Sequence, residues 1–190
     1  ITAADVNKLR KATGAGMMDC KKALTEADGN FEEAIDVLRK RGQKVAAKRA
    51  DRDATEGAVI SLINAGATKG VIVSLNCETD FVAKNESFIS LAQSLANIAL
   101  NDLPVDRNAL LELNFDSGLR VAEKLTEQTG VIGEKLELTF YKKLEGTCVS
   151  AYIHAGNKLA TLASLNVNSP DAAKNIAMQV AAMNPVALNK

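Results

Sequence analysis

INAGATKGVIVSLNCETDFVAKN, residues 63–85, and IHAGNKLATLASLNVNSPDAAKN, residues 153–175, are one pattern written twice. A shift of 90 residues superimposes them with identity at 9 of 23 positions: Ile63, Ala65, Gly66, Ser74, Leu75, Asn76, Ala83, Lys84 and Asn85. Glu56-Gly57 also meets Glu145-Gly146 across a one-residue gap. The turn, the strand end and the helix start coincide, so the match is structural in kind. In the first copy, residues 58–63 and 70–76 are β-rich runs flanking Asn-Ala-Gly-Ala-Thr-Lys-Gly, which predicts a hairpin. Residues 86–100 then carry Phe88, Leu91, Ala92, Leu95 and Ala99 on one helical face, and Leu103-Pro104 stops that helix. The second copy predicts a helix over about 171–183. Two such units predict an α+β domain with pseudo-two-fold symmetry, sheets on one side and helices on the other.

The first unit, 56–144, continues with helical pieces at 106–113 and 117–129 and an alternating strand through Leu136, Leu138 and Phe140. The second unit, 145–190, has only NPVALNK after its helix, so it is expected to be incomplete at the carboxyl end.

Upstream of the repeat, residues 1–42 read as three short helices. Thr2 can cap the first, with Asp5 in capping-box position, and Gly14 sits where a left-handed stop belongs. The second begins near Ala15, carries Met17, Cys20, Ala23, Leu24 and Ala27 along one stripe, and stops at Gly29. Asn30 caps the third, whose stripe is Phe31, Ala34, Ile35 and Leu38 and whose end is expected at Gly42. Three helices of this length bury a small common core, as a docking module does, and leave no room for a substrate cleft. Residues 43–55, QKVAAKRADRDAT, mix both charges without an aromatic and read as a solvated linker, helical at most at its start.

Composition narrows the function. Formal net charge is zero, against the basic excess usual in nucleic-acid binders, and aromatic residues are 4% with no Trp, against stacking on single strands. No apolar run approaches the roughly 20 residues that span a bilayer, and ITAADVNKLRK is neither a signal nor a transit peptide. Cys20, Cys77 and Cys148 are scattered and odd in number, which fits a reducing, cytoplasmic setting. One histidine and no CxxC pair argue against structural zinc. No GxxxxGK[ST] or GxGxxG is present, so no nucleotide or other cofactor is expected on the chain itself. His154 has no nucleophile context beside it, and no active site is legible.

The informative signal is where the copies differ. The strand-to-helix connection reads Cys77-Glu78-Thr79-Asp80-Phe81-Val82-Ala83 in the first copy and Val167-Asn168-Ser169-Pro170-Asp171-Ala172-Ala173 in the second. The residues alone support two accounts of the first. One is a partner-binding wedge in a loop, an acid followed by Phe and Val. The other is a short helical turn capped by Thr79 with Phe81 folded into the core. Because the second copy has Asp171 where the first has Phe81, the shared scaffold does not need an aromatic there, and Phe81 is expected to be exposed. On the second helix Met18 lies about 160° from Cys20, off the apolar stripe, with Met17 at its edge. An exposed methionine is an adaptable contact.

Thr79-Asp80-Phe81-Val82-Ala83, with Asn76-Cys77 before it and Lys84-Asn85 after it, resembles a signature of the elongation factor Ts family. LRKATGAGMMDCKKAL, residues 9–24, is similar to that family's other signature, and Ile132-Gly133-Glu134 and Tyr152-Ile153-His154-Ala155-Gly156 also match. The resemblance covers nearly the whole chain. It implies a ubiquitin-associated-like three-helix domain, then a core of two subdomains. It also implies an exchange factor, without enzymatic chemistry of its own, that binds elongation factor Tu and accelerates GDP release. Asp80 and Phe81, with Thr79 and Val82 around them, would intrude beside that partner's magnesium and phosphate site. Arg10, Met17 and Met18 would dock its GTPase domain elsewhere, and His154 and Gly156 would lie near its phosphate-binding loop. Thr139-Phe140 stands where some members have an arginine pair, and the family's coiled-coil insertion and final strand have no counterpart in this sequence.

Two other functions were weighed on the sequence. A free-standing ubiquitin-associated-like adaptor would not need the duplicated core. An enzyme acting through Cys77 would need a base beside it, and no histidine is near in sequence.

Overall fold

The computed structural model describes residues 1–116 and 118–186; Ser117, where one predicted helix begins, and residues 187–190 of the second unit lie outside the described residues. The fold is α+β and divides into two compact units, residues 1–53 with 123–136 and residues 54–122 with 137–190.

The first unit is helical. Helix α1, Ala3–Thr13, starts under the Thr2–Asp5 capping box and ends at Gly14 with φ 73°. Helix α2 spans Met17–Glu26, and α3, Phe31–Lys48, starts where Asn30 accepts hydrogen bonds from the backbone N–H groups of Glu32 and Glu33. Val6, Leu9, Cys20, Ala23, Leu24 and Ala34 form the core between them, flanked by Phe31, Ile35 and Leu38.

Gly42 was expected to end the third helix, yet the helix runs on to Lys48, so the start of the expected linker is helical. The reason is tertiary. Helix α7, Val121–Ile132, contributes most of its length to this unit, and its Gly130 faces Gly42 so closely that a Cβ on Gly130 would stand 2.3 Å from the Gly42 Cα. Gly42 is therefore a packing glycine, buried in mid-helix. The segment Glu123–Leu136, which the sequence assigns to the first repeat, groups with residues 1–53 for the same reason. Lys135 secures it by donating from Nζ to the carbonyls of Ala50 and Arg52, 3.0 Å each.

The two glycines are not equivalent, and this gives a prediction. A Cβ added at Gly42 meets nothing closer than 3.6 Å, ordinary contact. Gly42→Ala should therefore be neutral or stabilising by up to about 1 kcal/mol, the helix-propensity gain over Gly. Gly130→Ala has the same gain but drives a Cβ into backbone, and should lose about 1–3 kcal/mol net. Urea unfolding of the two variants checks the order; equal stabilities would show that the crossing relaxes freely.

The second unit holds the sheets. Strand β1, Glu56–Ile63, pairs antiparallel with β2, Lys69–Cys77, and β2 with β5, Glu137–Glu145, in the order β1-β2-β5. Val71, Val73, Leu75 and Cys77 alternate to one side of β2 and are fully buried, and α5, Glu86–Asp102, packs on β1 and β2. All five residues of the predicted α5 face are buried. Leu103, at φ 45°, ends α5. Tyr141 of β5 donates to the Pro104 carbonyl at 3.0 Å, and burial pushes its phenol up to about 12.

The simple alternation expected of β5 fails at one residue. Leu138 pairs with Leu75 and Phe140 with Ser74, so Thr139 is extra, a β-bulge. Phe140 therefore turns outward, 44% exposed, and Tyr141 turns inward. Between α5 and β5 lie α6, Arg107–Glu112, and a short ribbon of β3, Asn114–Asp116, with β4, Leu119–Arg120, which the sequence did not reveal.

Strands β6, Cys148–Ile153, and β7, Ala160–Leu165, form the second hairpin, followed by α8, Pro170–Met183. Residues related by the 90-residue shift play the same parts. The Val59 N–H donates to the Asn157 carbonyl at 2.8 Å, and the Val149 N–H donates to the Ala67 carbonyl at 2.7 Å. Ala67 and Asn157 both take positive φ, 48° and 56°. Each hairpin turn thus docks on the first strand of the other. Gly70 is needed at the interface, where a Cβ would press on Val149 and Leu162 at 2.9 and 3.0 Å.

Candidate functional site

The connection that distinguishes the two copies is a single helical turn, α4, Asp80–Ala83. Thr79 is extended, and its Oγ1 accepts from the Val82 N–H at 3.4 Å. The Ala83 and Lys84 N–H groups then donate to the carbonyls of Thr79 and Asp80, at 3.2 and 3.1 Å. Asn85 ends the turn and caps α5, its Oδ1 accepting from the Ser87 N–H at 2.9 Å. In the second copy Ser169 occupies the equivalent cap position and α8 runs on from Pro170 without a break. The first copy interrupts that helix, and the interruption raises the tip.

Of the two accounts of this tip that the sequence leaves open, the structure shows the helical turn of one and the exposed Phe81 of the other. The turn is helical and capped by Thr79, but Phe81 is not in the core: it is 83% exposed. Ala83 points inward, while Thr79, Asp80 and Val82 are half-buried. The capped turn fixes the backbone that carries Phe81, so binding has little backbone freedom left to remove there. The site is a turn and not the loop the sequence suggested.

Asp80 does not stand alone. Lys84 Nζ lies 2.7 Å from Asp80 Oδ2, at the i,i+4 spacing of a helical ion pair. This hydrogen bond, and then the charge of Lys84, hold the Asp80 carboxyl below its usual range, with a smaller contribution from Lys158. Lys84 is held above its usual value, first by the same bond. Lys158 in turn pairs with Glu56 at the start of β1. Lys84 and Lys158 were not singled out from the sequence; the Asp-x-x-x-Lys spacing at 80–84 was the available signal for the first.

A folded-state pKa that is depressed gives a contribution present above the ordinary aspartate value and lost as pH falls through the lowered one. Lys84→Met should therefore move the Asp80 carboxyl midpoint upward, towards an ordinary aspartate. Carboxyl NMR titration checks this; an unmoved midpoint would mean that another cation sets it.

The turn carrying His154 and Gly156 docks on β1, where the Val59 N–H donates to the Asn157 carbonyl and Lys158 pairs with Glu56. Gly156 has φ 82°, and the His154 N–H donates to the Leu159 carbonyl at 2.8 Å. His154 Nδ1 and the Tyr152 hydroxyl share a hydrogen bond of 2.9 Å, so the ring is oriented although exposed. Thr139, the bulge residue, donates from Oγ1 to Asn76 Oδ1 at 2.6 Å. It thereby braces the end of β2, and Phe140 faces outward beside it, where the sequence lacks an arginine pair.

Arg10, Met17 and Met18 belong to the helical unit. Met17 and Met18 are 55% and 63% exposed while Cys20 and Leu24 are buried, so Met17 leaves the stripe it seemed to edge. Arg10 is exposed in the last turn of α1. Cys77 is fully buried, and its thiol donates to the Thr79 carbonyl at 3.2 Å, a structural placement unlike that of a nucleophile. Among the described residues no three His, Cys, Asp or Glu side chains gather as a metal site would, and no helix is long and apolar enough to cross a membrane.

The model of the family described as Elongation factor TS matches residues 78–190, from the tip onward. Elongation factor Ts of Christiangramia forsetii is 61% identical over 193 residues, which cover 100% of this chain and 69% of that protein. The elongation factor Ts of Flavobacterium psychrophilum is 58% identical with the same coverage. That of Amoebophilus asiaticus is 51% identical over 100% of this chain and 70% of its own length. With the signature tip, the helical unit and matches along its whole length, this chain belongs to the elongation factor Ts family of translation elongation factors.

Proposed function

We propose that this chain is a guanine-nucleotide exchange factor that promotes GDP release from elongation factor Tu. It acts in the cytoplasm as a binding protein, with no nucleotide, metal or nucleic acid bound by the chain itself. The observation that carries the proposal is the exposed Phe81 on a capped turn with Asp80 beside it. Phe81 and Asp80, flanked by Thr79 and Val82, enter beside the partner's magnesium and phosphate site. Met17, Met18 and Arg10 on the three N-terminal helices, a ubiquitin-associated-like docking module, hold the partner's GTPase domain. The His154–Gly156 turn approaches its phosphate-binding loop. The reciprocal bonds at Val59 and Val149 favour a duplicated hairpin–helix core that sets one turn against the other.

Exchange needs tighter binding to the nucleotide-free GTPase than to its GDP form, because equal affinity shifts nothing. Reversing a two-state population takes about 5.5 kcal/mol of differential affinity, while burying one Phe supplies about 1.5–3 kcal/mol. Phe81 is therefore insufficient alone, and the docking contacts must favour the same state. Asp80 adds charge: a carboxylate entering the metal's shell disturbs the ion that holds the β-phosphate. To do so it must give up Lys84.

Elongation factor Tu loaded with fluorescent GDP tests the proposal. The chain should accelerate GDP release in a saturable, concentration-dependent way, and calorimetry should detect no GDP binding to the chain alone. Release unchanged by excess chain would refute the proposal.

A further inference from the structure

Within the helical unit, the α1–α2 turn, α3 and α7 enclose a half-open cavity of about 350 Å³. That lies within the range of small-ligand sites, about 300–1,000 Å³. Its apolar wall is Ile35, Leu38, Val45 and Val131, with the two facing glycines at its floor. Arg39, Arg41 and Lys44 also line it, as do the carboxylates of Asp19 and Glu127; Glu127 is paired with Lys124 and Arg41 with Glu26. Arg39 bonds Asp36 through one terminal nitrogen at 3.2 Å, yet its Nε is buried with no acceptor. Lys44 is exposed and enters no ion pair among the described residues.

A buried guanidinium N–H without a partner is costly, and its usual resolution is an acceptor supplied from outside the chain. The acceptor that suits a guanidinium next to a free ammonium is a carboxylate. The body that suits four branched aliphatic side chains around two glycines is an unbranched aliphatic chain. None of these side chains is itself one of the proposed exchange contacts, although Gly16 and Asp19, which also line the cavity, flank Met17 and Met18.

We propose that this cavity binds a small aliphatic carboxylate, its charged end on Arg39 and Lys44 and its chain against Ile35, Leu38, Val45 and Val131. For a ligand of this size the affinity is modest, in the millimolar range. A bound chain would pack beside the α3–α7 crossing at Gly42 and Gly130 and stiffen it. The ligand is thus expected to protect the helical unit against unfolding.

The test is a titration of the full chain, methyl-labelled, with sodium octanoate, and in parallel with octanol and with acetate. Octanoate should shift the methyl signals of Ile35, Leu38, Val45 and Val131 in a saturable way, with octanol and acetate each at least tenfold weaker. Arg39→Met, which keeps the aliphatic stem, should weaken octanoate at least tenfold, and Arg39→Lys should recover only part of that. The Arg39 side chain is partly exposed, and the unshifted core methyls of Leu9 and Leu24 report that the fold is kept. Three outcomes overturn the proposal: no saturable shift, equal binding of octanol, or octanoate binding unchanged in Arg39→Met. Shifts of these methyls produced by elongation factor Tu but not by octanoate would assign the cavity to a protein surface and overturn it as well.

Discussion

Phe81→Ala is expected to slow catalysed GDP release by about 10- to 150-fold while leaving the melting temperature nearly unchanged. The range is the burial of one phenyl ring, about 1.5–3 kcal/mol, converted at about 1.4 kcal/mol per factor of ten. It reaches its upper end only if the ring is buried in the nucleotide-free complex alone, since a contact made equally in both states changes affinity and not release. Stability should be spared because the ring is 83% exposed in the free chain and leaves no cavity when removed. Thr79 and Asn85 still cap their helices without it. Raising free magnesium should deepen the defect if the wedge works by loosening the metal site. A variant that melts several degrees lower with unimpaired release would place the ring in a structural role.

The second large effect is on stability. Leu24→Ala should lower the unfolding free energy by about 2–5 kcal/mol, the range for truncating a buried leucine. Leu24 is 1% exposed at the centre of the helical core, among Leu9, Cys20 and Ala34. Four of the other seven buried members of that cluster, Ala15, Ala23, Ala27 and Ala34, are alanines with little side chain to move into the space, so the cost should fall in the upper half of that range. Met18→Ala, six residues earlier on the same helix, is the matched control. Met18 is 63% exposed, so stability should change by no more than about 0.5 kcal/mol. Binding to elongation factor Tu should weaken instead. Urea unfolding and a pull-down on the same two proteins read both effects. A stable Leu24→Ala with a melting Met18→Ala would reverse the helical phase.

Both predictions rest on features legible in the residue order. The Thr2–Asp5 box, the Asn30 cap and the Gly14 stop are exchanges of hydrogen bonds within three or four residues, and such exchanges are decided locally. The hairpins and the α5 face followed from periodicity. The exposure of Phe81 was legible for a different reason. The second copy carries Asp171 on the same scaffold, which shows that no aromatic is needed there to fill a core.

What the residue order could not give was decided between segments distant in the chain. Gly42 looks like a stop because glycine is the usual helix terminator, and only Gly130 packed against it shows that the backbone approach is what matters. The same crossing draws Glu123–Leu136 into the helical unit. The bulge at Thr139 and the outward turn of Phe140 come from register with β2, which alternation within one strand cannot reveal. Lys158 pairs with Glu56 because the second hairpin turn docks on β1. Local hydrogen bonds and periodic burial are written in neighbouring residues, so the sequence determined most of the elements, their caps and the exposure of Phe81. A glycine's partner, a strand's register and the pairing of Lys158 with Glu56 depend on which surfaces meet, and those only the tertiary structure decided.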